Sequence, residues 1–448
     1  MKKILVIGSG RSSTSLIKYL LDNSDLEKWT VTVVDFNLEL AESKVDNHPN
    51  GFSYQLDANN DVKRKDFIKS SDVVISMLPA HMHFKVLKDS VDCGVHVITP
   101  SYITEEIKSL NESALKNQVL VLNELGLDPG IDHMSAKKMI DQVELDGGKI
   151  IGFESFTGGL VAPESDDNPW NYKFTWNPRN VVLAGQGSAA KFIKDGKYKY
   201  IPYHKLFRRT QIIDIEGFGK FEGYPNRDSL KYRSIYDLKN IPTMYRGTLR
   251  RVGFCRAWNI FVQLGATDDS YIIEGSENMT NREFINSFLK FNPADSVELK
   301  LRHYLRIEED DYMWEKLVWL GIFEDKKIGL KDASPAQILQ KILNEKWSLK
   351  SSDKDMIVMW HKVSYEIKGL AKELTSHMTY IGKDSNYTAM SDTVGLPLGI
   401  ATKMLLNGSI QKRGVLIPID KEIYEPVLSE LKEYGIDFIE QHLEVEIK

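Results

Sequence analysis

A chain of 448 residues is too long for one ordinary hydrophobic core and predicts two or three domains. With 42% hydrophobic and 27% charged residues, its composition is globular and excludes collagen-like, low-complexity and disordered classes. The formal net charge of -5 argues against nucleic acid as the main partner, because phosphate binding favours a basic surface. Acidic small molecules stay admissible, since a few local arginines outweigh the global sign. Cys93 and Cys255 are the only cysteines and lack CxxC or zinc-like spacing, which predicts a reducing compartment and two buried thiols. Met1-Lys2-Lys3 leads into an apolar run that already ends at Gly8, too short for a signal peptide. No stretch approaches a membrane span, so the expected location is the cytoplasm.

Ile4 to Ile7 is a continuous β-type run, followed by Gly8-Ser9-Gly10 and a helical pattern through Leu16, Leu20 and Leu21. Val31 to Val34 is a second run and ends on Asp35; Phe52 to Leu56 precedes Asp57-Ala58. Asp72 to Pro79, Val95 to Thr99 and Val119 to Leu122 continue the series, with a helix expected over 105–116. Strands apolar on both faces and separated by helices predict a Rossmann-type, doubly wound parallel sheet. From Gly152 glycine, proline and aromatic residues predict long loops that line a binding site, Gly158-Gly159 and Trp170 to Trp176 among them. Residues 276–350 read as a small helical domain, and Met356 to Ile367 returns to strand texture. A helix over 391–406, a short strand at Val415 to Ile417 and a helix over 422–434 repeat the opening alternation. The predicted fold is therefore α/β: a dinucleotide domain of 1–130 plus 390–448, an inserted mixed-sheet domain of 131–275 plus 351–389 for substrate and dimerisation, and the helical domain.

Between strand and helix, Gly8 permits a tight turn, and Gly10 lets a pyrophosphate approach the backbone and the helix N-terminus beside Arg11 and Ser12. Ser13 replaces the third glycine of the usual fingerprint. Asp35 is placed to accept hydrogen bonds from ribose hydroxyls and to repel a 2′-phosphate, which favours NAD and leaves NADP possible. Ligands bind at the carboxyl edge of such sheets, so Leu78, Pro79, Thr99, Ser101, Tyr102 and Leu127 are further candidates, with Asp57 and Ala58 near the adenine. His81, His83 and His96 lack metal-ligand spacing, and no metal site is expected.

Gly126-Leu127-Asp128-Pro129-Gly130-Ile131-Asp132-His133, Gly158 to Glu164, Asn168 to Val181, Tyr224 to Ser229, Tyr245 to Arg250 and Thr388 to Pro397 carry a resemblance to the saccharopine reductase family, the L-glutamate-forming saccharopine dehydrogenases. The resemblance implies a homodimer of three-domain chains that interconverts saccharopine with glutamate and 2-aminoadipate 6-semialdehyde through NAD or NADP. It implies substrate contacts at Ser101, Tyr102, Asp128, Arg227, Arg246, Gly247 and Thr248. Saccharopine carries three carboxylates, and Arg227 and Arg246 stand in loop-like motifs where a guanidinium fork can face a carboxylate. Asp128 and Tyr102 are the candidates for moving the amine proton or orienting water. Asp128 has two other readings, a helix cap or a partner of the nicotinamide amide. His133 reads as a packing or capping residue. Asn171 and Trp176 read as a wall near the nicotinamide, with core packing or a dimer contact as the competing reading. Two alternatives stay open: a carboxynorspermidine or carboxyspermidine dehydrogenase, kept alive by Asp166, Asp167 and Asp228, and a non-catalytic dinucleotide sensor or scaffold.

Overall fold

In the computed structural model, which describes residues 1–444, the short β-branched runs become β1 (Lys2–Ile7), β2 (Trp29–Asp35), β3 (Gly51–Gln55), β4 (Val73–Ser76), β5 (His96–Ile98) and β6 (Leu120–Leu122). Ile4 to Ile7 and Val73 to Ile75 are fully buried, as strands covered on both faces must be. The helix expected over 105–116 is two short ones, Glu105–Lys108 and Asn111–Lys116. The mixed second sheet follows: β7 (Lys149–Val161), β8 (Ala190–Lys194), β9 (Lys197–Ile201), β10 (Gln211–Ile215), β11 (Gly219–Pro225), β12 (Thr243–Arg251) and β13 (Asp355–Ile367). The chain closes with β14 (Leu370–Ile381), the helix Ala389–Leu406, β15 (Gly414–Leu416), the helix Lys421–Glu433 and β16 (Ile439–Glu444).

One compact unit comprises Met1–Lys149 and Tyr365–Lys448, the other Ile150–Ser364. In the first unit the parallel order is β15-β6-β5-β4-β1-β2-β3, so β15, far along the chain, extends the N-terminal sheet. Asn111, at the join of the two short helices, accepts from the Val415 amide at 2.9 Å and ties β15 in place. The helix Ile131–Leu145 and β14 fall in this unit, not in the inserted segment as drawn from sequence. Burial explains the helix: Asp141 accepts from Tyr424 of the helix Lys421–Glu433 at 2.5 Å, and the two helices pack together.

In the second unit β10 to β12 form an antiparallel meander, and β12 then runs parallel to β7. Gly158-Gly159 thus lies inside a 13-residue strand, not in the predicted loop. A Cβ at Gly158 would stand 2.7 Å from the Leu249 carbonyl, so glycine there serves strand packing. Four helices, Asn281–Ser287, Val297–Leu305, Tyr312–Trp319 and Pro335–Trp347, occupy the segment read as helical, and this segment belongs to the second unit. Trp170, Tyr172 and Phe174 are buried against Trp347, with ring centroids 5.1–5.3 Å apart.

Candidate functional site

The carboxyl edge of the parallel sheet collects the first group of candidates. Gly8 has φ +101°, and a Cβ there would lie 2.9 Å from the Met77 carbonyl beyond β4. Nothing stands within 4 Å of the Cβ position of Gly10, which leaves open space over the turn Arg11–Ser13 and the helix Thr14–Asp22. Open backbone before a helix N-terminus fits a pyrophosphate. Ser13 is buried and donates to the Gly10 carbonyl at 2.8 Å. The close packing a third glycine would provide comes from the opposite helix: Cβ atoms at Gly395 and Gly399 would meet the Leu16 amide and the Tyr19 ring at 2.6 and 2.5 Å.

Asp35 accepts from the Ser9 amide at 2.7 Å and the Ser9 hydroxyl at 2.9 Å through Oδ2, and from the Asn37 amide at 2.9 Å through Oδ1. Its carboxylate is therefore fixed at the glycine turn. The first cationic residue after it is Lys44, whose ammonium donates to Thr14 and Asn386 at 2.6 and 3.1 Å. Arg11 is exposed and Ser12 half-buried. After β3, Asp57 is exposed; buried Ala58 accepts through its carbonyl from Arg64, which is itself ion-paired with Asp89 at 2.6 Å. Leu78 is half-buried and Pro79 exposed beyond β4.

Thr99 and Leu127 are buried. The Thr99 hydroxyl lies 3.2 Å from His83 Nδ1, which is also 2.9 Å from Ser76 Oγ. Burial pushes the His83 imidazole down to about 4, a structural role. Ser101 and Tyr102 are half-buried, and the Tyr102 hydroxyl donates to Asp128 Oδ1 at 3.1 Å. Asp128 is not the helix cap: Gly130 holds that position, and Asp132 accepts the Gly130 amide at 2.6 Å. Sequence reasoning missed Glu124, whose Oε2 lies 2.8 Å from His133 Nε2 with both side chains buried. A polar residue just past a core strand was the only available signal.

In the second unit, the β11–β12 register pairs Pro225 with Gly247 and Tyr224 with Thr248. That register brings the Arg227 turn beside Arg246, Gly247 and Thr248. A Cβ at Gly247 would come within 2.2 Å of the Phe156 ring, so only glycine fits. Arg246 lies inside β12, not in the loop its motif suggested, and is buried, with its guanidinium carbon 4.1 Å from the Tyr232 ring centre and its amide donating to Ser229 at 3.0 Å. Arg227 is exposed on a left-handed turn, φ +46°, and Thr248 is half-buried. A buried third arginine, Arg250, was not anticipated; Tyr172 and Phe254 stand 5.0 and 5.5 Å from its guanidinium carbon. The aromatic segment read as a site wall is corrected only where it is core, at three of its rings. Trp170, Tyr172 and Phe174 are core; Trp176 is half-buried, and Asn171 donates to Asp166 at 2.9 Å. Asp167 is held by Lys173 and Lys350, which bring its carboxyl down to about 2, and Asp228 pairs with Lys191 at 3.5 Å. Cys255 is buried but Cys93 only half so, and both thiols are free.

The "Saccharopine dehydrogenase NADP binding domain" matches residues 4–122, and the "Saccharopine dehydrogenase C-terminal domain" matches residues 126–436. The chain belongs to the saccharopine dehydrogenase family. It is 35% identical over 444 residues to the protein of Saccharomyces cerevisiae named as an NADP(+), L-glutamate-forming saccharopine dehydrogenase, covering 97% of this chain and 98% of that one. The same name belongs to a protein of Pyricularia oryzae that is 34% identical over 446 residues, with 97% and 98% covered. The mitochondrial alpha-aminoadipic semialdehyde synthase of Rattus norvegicus is 34% identical over 446 residues, 98% of this chain and 47% of that protein. The solved structure of the apo L-Glu-forming saccharopine dehydrogenase from Saccharomyces cerevisiae superposes with a TM-score of 0.89 at 34% identity, covering 99% of this chain and all of that one. A Legionella pneumophila homospermidine synthase in complex with NAD shares the fold alone, at 11% identity and a TM-score of 0.53 over 99% and 91% of the two chains. This saccharopine dehydrogenase family member therefore carries a nicotinamide dinucleotide domain, and its glycine turn and Asp35 fit that group. Among the described residues no helix is long and apolar enough to cross a membrane.

Proposed function

We propose that this saccharopine dehydrogenase family member oxidises the secondary amine of saccharopine with a nicotinamide dinucleotide, releasing L-glutamate and L-2-aminoadipate 6-semialdehyde, or runs the reverse. The observation that carries this reading is the one-third identity to L-glutamate-forming enzymes along almost the whole chain. The buried Arg246 and exposed Arg227 support it, because three substrate carboxylates need fixed cations. The polyamine alternative needs carboxylates open to a cationic substrate, whereas Asp167 and Asp228 are engaged by lysines and half-buried Asp166 accepts from Asn171.

When bound, the nicotinamide supplies a hydride acceptor for the substrate carbon next to nitrogen. The Tyr102 hydroxyl donates to Asp128 at 3.1 Å, which supports reading the pair as the groups that accept the amine proton and orient the water that opens the resulting imine. In the second unit Arg227, Arg246 and Thr248 are the groups proposed to bind substrate carboxylates, as the family resemblance implies. Among dinucleotides, the reading favours NAD. Asp35 would repel a 2′-phosphate, no Lys or Arg lies between it and Lys44, and Lys44 is already engaged. The matched domain model and the names of the fungal relatives carry NADP and point the other way, so the two cofactors are to be compared directly. A homodimer and a cytosolic location complete the proposal; the first rests on the family resemblance, the second on two free thiols.

The test is incubation of the full chain with saccharopine and either dinucleotide, following absorbance of the reduced cofactor. Turnover with NAD above NADP is expected. No signal with either would sink the assignment.

A further inference from the structure

We infer that Glu124 is a positioning residue for the Tyr102–Asp128 pair, a single buried carboxylate that anchors both loops on which the pair is carried. This rests on the role given to that pair above. The Glu124 amide donates to the Ser101 carbonyl at 3.1 Å, and its Oε1 accepts from the Ile103 amide at 2.9 Å. Tyr102 is thereby bracketed by two bonds to one residue. The other carboxylate oxygen, Oε2, meets His133 Nε2 at 2.8 Å, in the first turn of the helix Ile131–Leu145.

That helix start holds the second loop. The Ile131 amide donates to the Gly126 carbonyl at 2.8 Å and the Asp132 amide to the Leu127 carbonyl at 3.1 Å, just ahead of Asp128. His133 thus carries the Glu124 anchor into the element from which Asp128 is suspended. Glu124 sits at φ +55°, a region that non-glycine residues seldom enter, and these bonds hold it there. A side chain needed only for packing would be apolar, because an acid and an imidazole in a dry interior are costly unless each serves a partner. Here Glu124 is 1% exposed and His133 0%. The arrangement joins two loops that share no strand and fixes the distance between a phenol and a carboxylate that must meet.

The experiment uses the full chain with saccharopine and NAD. Glu124→Ala should lower kcat/KM for saccharopine about 10–100-fold, the effect of letting a reacting group drift by roughly an ångström. NADH affinity, read by fluorescence, should stay within about 2-fold of wild type, and Glu124→Gln, which keeps an acceptor for Ile103, should recover most of the loss. The deciding measurement is the double variant: Glu124→Ala added to Tyr102→Phe should cost no more than about 2-fold beyond Tyr102→Phe alone, since no pair is left to position. If Glu124→Ala gives no folded protein, His133→Leu removes the Glu124 Oε2 partner and carries the same comparison. Wild-type kcat/KM in the single variant, losses that multiply in the double variant, or an equal loss of NADH affinity would each overturn the positioning role. No turnover by the wild-type chain would overturn the functional reading and this role with it; wild-type turnover with multiplying losses overturns this role alone.

Discussion

At Asp35 the carboxylate is pinned by Ser9 and Asn37, so it meets a ribose without having to reorganise. Asp35→Ser should lower kcat/KM for NAD about 10–100-fold, the worth of charged hydrogen bonds to the ribose, and lower it far less for NADP. Steady-state kinetics with both cofactors measures the ratio; an unchanged ratio removes Asp35 from cofactor choice. Arg246 stacks on Tyr232 at 4.1 Å with its charge buried. Removing a buried charge from a substrate carboxylate costs about 2–5 kcal/mol, so Arg246→Ala should raise KM for saccharopine steeply. Arg246→Lys should restore little, because an ammonium offers neither the planar fork nor the stacking face. Full recovery in the lysine variant would show that charge alone matters there. The sequence singled out Asp35 by its distance to the glycines and Arg246 by a motif read as a loop, which the structure places inside β12. Glu124 was not, because its partners Ile103 and His133 are 21 and 9 residues away and meet it only in the folded chain.

The elements add a pH dependence that no single motif announces. His96 on β5 accepts the Leu120 amide of β6 through Nδ1 at 3.0 Å, a bond that a protonated imidazole cannot make. Burial holds both His96 and His83 at about 4, against 6.5 for the free side chain. Between these values the unfolded chain binds protons that the folded chain refuses, so stability falls as pH drops from 6.5 toward 4 and is unaffected by these groups above that window. The loss should reach about 3 kcal/mol for fully buried His83, with thermal melts across that range as the measurement. His96→Gln, which keeps an acceptor, should flatten part of the slope; an identical slope would assign the loss to other groups. The parallel strands were readable because burial on both faces writes an unbroken apolar run. The thirteen residues of β7 were not, because Gly158-Gly159 and Thr157 look like a loop until Leu249 is seen pressed against them.

For the molecule as a whole, the sheet that binds the dinucleotide is closed by residues from the far end of the chain. β15 pairs with β6, and Ile423, Tyr424, Val427 and Leu431 of the helix Lys421–Glu433 are buried. Burying side chains of this size is worth roughly 1.5–3 kcal/mol each, a sum comparable to the whole stability of a domain, about 5–15 kcal/mol. A chain ending at residue 413 should therefore lose its cooperative melt and its NADH binding together. Circular dichroism and cofactor fluorescence on that truncation are the measurements, and an unshifted melt would show that the N-terminal strands suffice.

Local order along the chain determined the α/β class, the glycine turn, Asp35 at a strand end and the return of the final elements to the first sheet. The first three depend on local periodicity or spacing and the last on a repeat of the same α/β alternation, all of which the order of residues itself records. Tertiary structure alone decided that Trp170, Tyr172 and Phe174 are core, that Asp167 and Asp228 are occupied by lysines, and that Glu124 spans the loops of Tyr102 and Asp128. Those outcomes turn on which distant groups compete for one buried position, and a polar or aromatic residue carries no mark of its partner until the chain has closed around it.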